Sequence, residues 1–493
     1  MTRMVLTSRV LDPQPVRSLD DYVQAGGGTG LESARALTPA ALIEMVRQSG
    51  VRGRGGAGFP TAIKWTTVAA NASEFEPAAV VVNAAEGEPG SFKDRELLRR
   101  TPYRTLEGAL IAAHAVGATK VVVGMKRTSS AVIARVEAAI DELSAAGWLG
   151  TVAMAVHEGP PEYLLGEETA LLEVLDGRLP FPRVAPPYRR GVDEVVEHAD
   201  DVDTGSGLSA HVEMAGPGHE TPAPPTAVDN AETLAHIALM CAHGVDWFRS
   251  VGTPNSPGTF VATVSGATNQ SGVGEFAMGT PLREVLETLG GGLPTGRTIR
   301  AVLQGVSSAV ITPDMLDTPC TWEDMAAAGT GLGSSSFIVF DDATSPVAIA
   351  AAVSRFLAVE SCGQCTPCKS DGLAISDALG RICRAESEPR DVATVESCIE
   401  TVADSARCTL ATQHHDVVGS ILAAFPHVLD THAHNQAPAE ELAHVSPIHD
   451  LSNGQVTLDP DQPHKQPDWT IGDRWTGKWP AEKLDEHRKP EEL

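Results

Sequence analysis

Residues 78–90 read Ala78-Ala79-Val80-Val81-Val82-Asn83-Ala84-Ala85-Glu86-Gly87-Glu88-Pro89-Gly90. The apolar run from Ala78 to Val82 has the length and composition of a strand covered on both faces. It passes directly into a loop with two carboxylates, Glu86 and Glu88. The carboxyl end of a buried strand is where α/β sheets place ligands. Val121-Val122-Val123 and the stretch from Val152 to Val156 predict two more strands. Helical patterns follow from about Ser129 to Leu143 and from Glu167 to Leu175. Strands alternating with helices predict an α/β fold with a largely parallel sheet.

Upstream, Thr38-Pro39 opens a helix: Thr38 can cap it and Pro39 fits its first position. Leu42, Ile43, Met45 and Val46 suit a buried face, and Gly50 ends it. Gly53-Arg54-Gly55-Gly56-Ala57-Gly58 comes next. Gly53, Gly55 and Gly58 satisfy the G-x-G-x-x-G spacing, but after a helix instead of a strand, so the usual dinucleotide reading fails on context. Successive exposed amides could still form an anion-binding nest. Phe59 could stack on an aromatic ring and Lys64 could reach a phosphate. A tight structural turn explains the same glycines. Likewise Glu86 and Glu88 could mark a solvated acidic turn, and the acids of Tyr163-Leu164-Leu165-Gly166-Glu167-Glu168-Thr169 could serve only the helix dipole. Asn83 offers both a donor and an acceptor to a bound ring.

Downstream, residues 189–225 are rich in Asp, Glu, Gly and Pro and predict a long loop or lid. From Gly258 to about Gln304 the pattern is β-rich with a short helix near Leu282 to Leu289, matching a small β-grasp-like unit. Helical patterns then cover 347–359, 372–382, 391–403 and 416–424. The expected organisation is an α/β domain over 1–250, a β-grasp-like domain over 251–340, a helical bundle over 341–430 and an extended tail over 431–493. Trp469, Trp475 and Trp479 suggest that the tail lies on the body or on a partner.

Six of the eight cysteines fall between Cys362 and Cys408. Cys362, Cys365 and Cys368 have C-x2-C-x2-C spacing, and Cys408 is the expected distant fourth ligand. Three thiolates on one short loop can wrap a corner of an iron–sulfur cubane, with the fourth from another helix. Gly363 lets the loop bend and Pro367 stiffens it. A structural zinc site also takes four thiolates, but zinc more often uses two separate pairs. Cys241, Cys320, Cys383 and Cys398 read as ordinary buried cysteines.

The formal net charge is −27 and the pI is near 4.9. Such a chain has no broad basic footprint for nucleic acid or an anionic membrane. No apolar run is long enough to span a bilayer, and the N-terminal residues lack a signal-peptide core. A cytoplasmic protein is expected, with membrane association only through partner subunits.

Together RGRGGAGFPTAIKW, NAAEGEPGSFKDR, LLGEETALLEVLDG, DNAETLAH and ESCGQCTPC resemble the NADH-oxidising flavoprotein subunit of respiratory complex I. The subunits of NAD-reducing hydrogenases and NAD-dependent formate dehydrogenases are related. The resemblance runs from about Ser18 to Ala424. It implies FMN, NAD(H), one [4Fe–4S] cluster and a partner iron–sulfur protein. It places Gly53, Gly55, Gly58, Lys64, Asn83, Glu86, Tyr163, Gly166, Glu167 and Asn230 at FMN. Phe59, Glu88 and Glu168 fall at the nicotinamide nucleotide, with Glu88 and Glu168 as the candidate catalytic carboxylates. Cys362, Cys365, Cys368 and Cys408 hold the cluster. The family's pattern departs at Thr67, Ala85, Ala185, Asp229 and the Gly159-Pro160-Pro161-Glu162 approach. Losing an aromatic at Thr67 and a lysine at Ala185 is each expected to cost about 1–2 kcal/mol of nucleotide binding. Two other readings follow: an electron relay that keeps the cluster but not NADH oxidation, and a zinc-bearing structural subunit.

Overall fold

The computed structural model describes residues 8–73, 76–183, 224–434 and 437–483. The valine-rich stretch at 78–84 forms β1 (Ala79–Ala84), an inner strand of a four-stranded parallel sheet. Its neighbours are β2 (Lys120–Lys126) on one side and β4 (Thr226–Asn230) on the other, with β3 (Ala153–Gly159) beyond β2. Helices Pro102–Val116, Ser130–Ala145 and Ala231–His243 cover it. Gly108 lets two of these helices touch: a Cβ there would lie 1.9 Å from the Leu234 carbonyl oxygen.

Helix Pro39–Ser49 forms as its caps dictate. Thr38 accepts from the Ala41 amide, Pro39 occupies the first turn, and Gly50 closes it in the left-handed region. A second sheet, ordered β6-β5-β8-β7, comprises β5 (Thr259–Gly266), β6 (Gly272–Ala277), β7 (Ile299–Gln304) and β8 (Ser336–Asp341). Its central pair β5–β8 is parallel and the flanking pairs are antiparallel, with helix Leu282–Gly290 against β5 and β6. This is the arrangement of a β-grasp. β8 (SFIVFD) and β4 were not read as strands from the sequence.

Helices Pro346–Glu360, Thr366–Cys383 and Asp391–Thr401 form the bundle. The helix expected over 416–424 instead passes from Thr409–Gln413 through a π-helical turn, His414–Val418, into Gly419–Ala424. His414 is buried there, with Nε2 2.8 Å from Ser354 Oγ. The tail is more than extended chain: β9 (Ile448–Ser452) and β10 (Gln455–Leu458) form a hairpin. The hairpin is tied to helix Lys93–Arg100 by Arg95 and Arg99. Ala185 and nearly all of the expected 189–225 loop lie outside the described residues.

Candidate active site and cluster pocket

In the parallel sheet β1 connects to β2 on one side, whereas β4 lies on the other. The strand order therefore reverses at β1/β4. Open α/β sheets bind ligands at such a switch point, outside the carboxyl ends of the strands. Asn83 and Asn230 are register partners at those two ends. Asn83 Nδ2 donates to the Gly166 carbonyl at 2.9 Å. Asn230 caps helix Ala231–His243, accepting from the Glu232 amide, and donates to Asp94 Oδ2 at 2.8 Å.

The glycine loop closes over this point. Arg52 and Pro60 bridge its ends, and Gly53 N–H donates to the Phe59 carbonyl. A Cβ at Gly55 would sit 3.4 Å from Asn230 Cβ. Gly58 has φ +62°, and a Cβ there would strike Trp322 Nε1 at 2.4 Å. Arg54 is buried under the loop and donates to the Thr259 and Pro257 carbonyls. Burial lowers its pKa to about 10. Phe59 and Ile63 stand exposed beside the loop.

Lys64 bridges the site, 2.6 Å from Glu168 Oε1 and 2.5 Å from the Val228 carbonyl. Asp229 is buried and accepts from Trp65 Nε1 at 2.7 Å, so the carboxylate at this departure has a structural partner. Ala85 packs with Leu165 and Val122 in an apolar cluster. Thr67 turns its hydroxyl back to the Ile63 carbonyl.

The two loop carboxylates have different surroundings. Glu86 accepts from Ser91 Oγ, the Asp94 and Arg95 amides and the Arg95 guanidinium. It thereby caps helix Lys93–Arg100. Glu88 accepts from Tyr163 Oη and from the Val306 amide, both at 2.7 Å. Burial pushes its carboxyl up to about 7, against the pull of those two donors. Glu167 caps its own helix through the Thr169 and Ala170 amides.

The sequence reading passed over several buried ions here. Lys93 lies 2.7 Å from Asp94, 2.9 Å from Glu232 and 3.2 Å from Asn230 Oδ1. Burial pushes Asp94 up to about 6, while burial of Glu232 is overcome by Lys93 and His236, which hold it near 2. Lys126 stands under Gly87, where a Cβ would meet its Nζ at 2.1 Å. Lys93 and Asp94 belong to the GSFKDR run, so the signal was present. Lys126 carried none.

Cys362, Cys365, Cys368 and Cys408 line one small pocket, with Leu164 on its wall. Cys362 and Cys368 are buried, and Cys365 and Cys408 are half-buried. Four cysteine thiols round one pocket are a donor set that suits an iron–sulfur cluster. Donors already face the sulfurs: the Arg407 amide on Cys365 at 3.4 Å and the Gln364 side chain on Cys362 at 3.5 Å. Hydrogen bonds to sulfur tune the potential of such clusters. Burial raises the Cys368 thiol to about 11. Lys369, fully buried, donates to the Ala358 and Ser361 carbonyls and fixes the chain entering Cys362. Cys241, Cys320 and Cys383 are buried outside this pocket, whereas Cys398, expected to be buried, is half-buried.

Similarity to known proteins agrees with this geometry. Residues 46–239 match the Nuo51 FMN-binding domain, and residues 348–432 match the NADH-ubiquinone oxidoreductase-F iron-sulfur binding region. An NADH-quinone oxidoreductase subunit of Rhizobium meliloti (strain 1021) is 35% identical over 402 residues, 80% of this chain and 89% of that protein. The chain belongs to this NADH-quinone oxidoreductase subunit family. Another relative is the NADP-reducing hydrogenase subunit HndC of Solidesulfovibrio fructosivorans, 32% identical over 86% of this chain and 81% of its own length. A solved NAD+-reducing [NiFe]-hydrogenase chain superposes with a TM-score of 0.71 at 30% identity, covering 87% of this chain and 67% of that one. Membership in the family accounts for a flavin domain followed by an iron–sulfur bundle. The switch-point site lies within the first match, and all four cysteines lie within the second. No helix among the described residues is long and apolar enough to cross a membrane.

Proposed function

We propose that this chain is the NADH-oxidising subunit of a larger oxidoreductase, taking electrons from NADH at FMN and passing them through a [4Fe–4S] cluster to a partner iron–sulfur protein. The observation that carries this reading is one short turn, Tyr163–Gly166. Tyr163 bonds Glu88, Leu164 walls the cysteine pocket, and the Gly166 carbonyl takes the hydrogen bond of Asn83. The switch-point site and the cluster pocket are thus the two sides of four residues.

FMN supplies the conversion between a two-electron hydride transfer and one-electron exit. The chain supplies the rest. The loop of Gly53, Gly55 and Gly58 brings amides over the switch point, with Lys64 at its edge. Asn83, Asn230, Tyr163, Gly166 and Glu167 border the space assigned to the flavin, and Glu86 holds the loop that frames it. Phe59 offers an exposed face to the nucleotide, and Glu168 and Glu88 are the candidate catalytic carboxylates. A carboxyl held near neutrality at a cleft is a functional candidate. Cys362, Cys365, Cys368 and Cys408 are the cluster ligands in this reading. We place the protein in the cytoplasm, with any membrane association through partner subunits. The boundaries near 250, 340 and 430 follow the sequence pattern; one apolar core within 19–248 and another within 260–339 support the first two regions.

The electron-relay reading is favoured by Thr67, which offers no ring and turns its hydroxyl to the Ile63 carbonyl, and by Ala85, which offers no polar group. NADH-dependent reduction of ferricyanide by the FMN-loaded protein separates the two. Turnover supports NADH oxidation, and its absence with an intact cluster supports the relay.

A further inference from the structure

The carboxyl-terminal segment approaches the cluster from outside the two matched regions, which end at residue 432. Between Gln462 and Lys483 it runs along the chain that enters the first cluster ligand. Trp469 Nε1 donates to the Val359 carbonyl at 3.1 Å, and the Ala481 amide donates to the Cys362 carbonyl at 2.9 Å. Gly363 leaves room for Trp479, since a Cβ there would lie 2.9 Å from Trp479 Cβ. Asp468 holds the strap in shape through Thr470, the Thr476 amide and Lys483.

One side chain of this strap goes inward. Lys465 Nζ meets both oxygens of Glu360, at 2.8 and 2.9 Å, with 7% and 2% of the two side chains exposed. Glu360 Oε2 also accepts the Tyr163 amide at 3.0 Å. Tyr163 then reaches Glu88 through its hydroxyl, and its ring packs edge-on against Phe356, 5.3 Å between centroids. A chain of contacts therefore leads from the tail, through Lys465 and Glu360, to the turn that separates the switch-point site from the cluster pocket. Lys126 lies close enough to Glu360 to act on its charge, but it spends its hydrogen bond on the Pro161 carbonyl. A buried carboxylate without a direct cation tends to shift or take a proton, and either weakens its hold on an amide.

We propose that Lys465 is a positioning residue for electron transfer between the flavin and the cluster, fixing the Tyr163 turn through Glu360. The proposal rests on the NADH-to-cluster reading above. Lys465 touches neither the flavin loop nor a cysteine and reaches the site only through the Tyr163 turn, so its loss should slow the cluster step more than hydride transfer. Misplacing a relay by a fraction of a turn is expected to slow that step about tenfold or more.

The test is anaerobic stopped-flow of the holoprotein mixed with NADH, following the flavin and cluster bands separately, on wild type, Lys465→Met and Lys465→Arg. Expected are cluster bleaching slowed about tenfold or more in Lys465→Met, flavin bleaching slowed clearly less, and substantial recovery in Lys465→Arg. The dithionite-reduced cluster signal in electron paramagnetic resonance should keep its intensity in Lys465→Met. If that variant does not fold, the Glu360→Gln/Lys465→Met pair removes both buried charges and takes its place, with the same slowing expected. Cluster bleaching at the wild-type rate overturns the proposal. So does equal slowing of both bands, or loss of the cluster signal, because either assigns Lys465 to general stability. A wild type whose flavin NADH does not bleach refutes the function reading itself, and this proposal with it.

Discussion

Cys365 and Cys398 lie 33 positions apart in one bundle, yet only Cys365 faces the pocket shared by four cysteines. Cys365→Ser is expected to abolish the reduced-cluster signal in electron paramagnetic resonance, while Cys398→Ser leaves it nearly unchanged. Equal loss in both variants would contradict the ligand set. Glu88 gives a second prediction with a definite sign. Its folded-state pKa, about 7, lies above the ordinary value of 4.5. The stability it contributes is therefore fully present below pH 4.5 and is lost as pH rises through 7. From pH 5 to pH 8 this loss amounts to about 2–3 kcal/mol in the wild type and is absent in Glu88→Gln. Urea midpoints of the two proteins should separate across that range. Parallel midpoints would mean that Glu88 does not titrate there. At this scale the shared pocket of the four cysteines was legible because three of them sit on one C-x2-C-x2-C loop. Glu88 was legible as a candidate carboxylate, but its partners Tyr163 and Val306 lie 75 and 218 positions away, so its protonation was not.

At the scale of elements, the glycine loop couples two parts of the fold. Gly58 touches Trp322, whose ring lies under Arg52 and Arg54 at 4.2 and 4.8 Å, and Arg54 is bonded to the start of β5. Gly58→Ala adds a Cβ at positive φ against an indole already fixed by two cations. Strain of this kind costs about 1–3 kcal/mol. FMN retention after gel filtration should fall about tenfold or more by that conversion, with the cluster signal unchanged. Retention equal to wild type would mean that the loop does not hold the flavin. Elements with strong local signals were readable: the Thr38-Pro39 cap, the valine strands, and the alanine-rich helix that forms over Pro346–Glu360. The π-helical turn at His414 was not, because it answers to a tertiary contact with Ser354. Helix Lys93–Arg100 was missed for a related reason. Its charged residues are buried by pairing with Glu86, Asp94, Glu232 and the tail, which no periodicity reveals.

At the scale of the whole molecule, exposed Phe59, the switch point of a parallel sheet, the turn Tyr163–Gly166 and the pocket of four cysteines follow one another. The order of the parts was legible because each motif sits on its own element. Their convergence was legible only through the family resemblance, since Asn83, Gly166 and Asn230 meet only when β1 and β4 pair and the turn folds back across them. The tail was readable only as a surface-lying segment. Its hold on Glu360 belongs to a lysine with no motif around it. The central claim is that electrons from NADH reach the cluster within this chain. Anaerobic titration of the purified protein with NADH, followed by its visible spectrum, tests it most directly. A flavin band and the broad cluster absorbance are expected to bleach together. A brown protein that dithionite bleaches and NADH does not would contradict the claim.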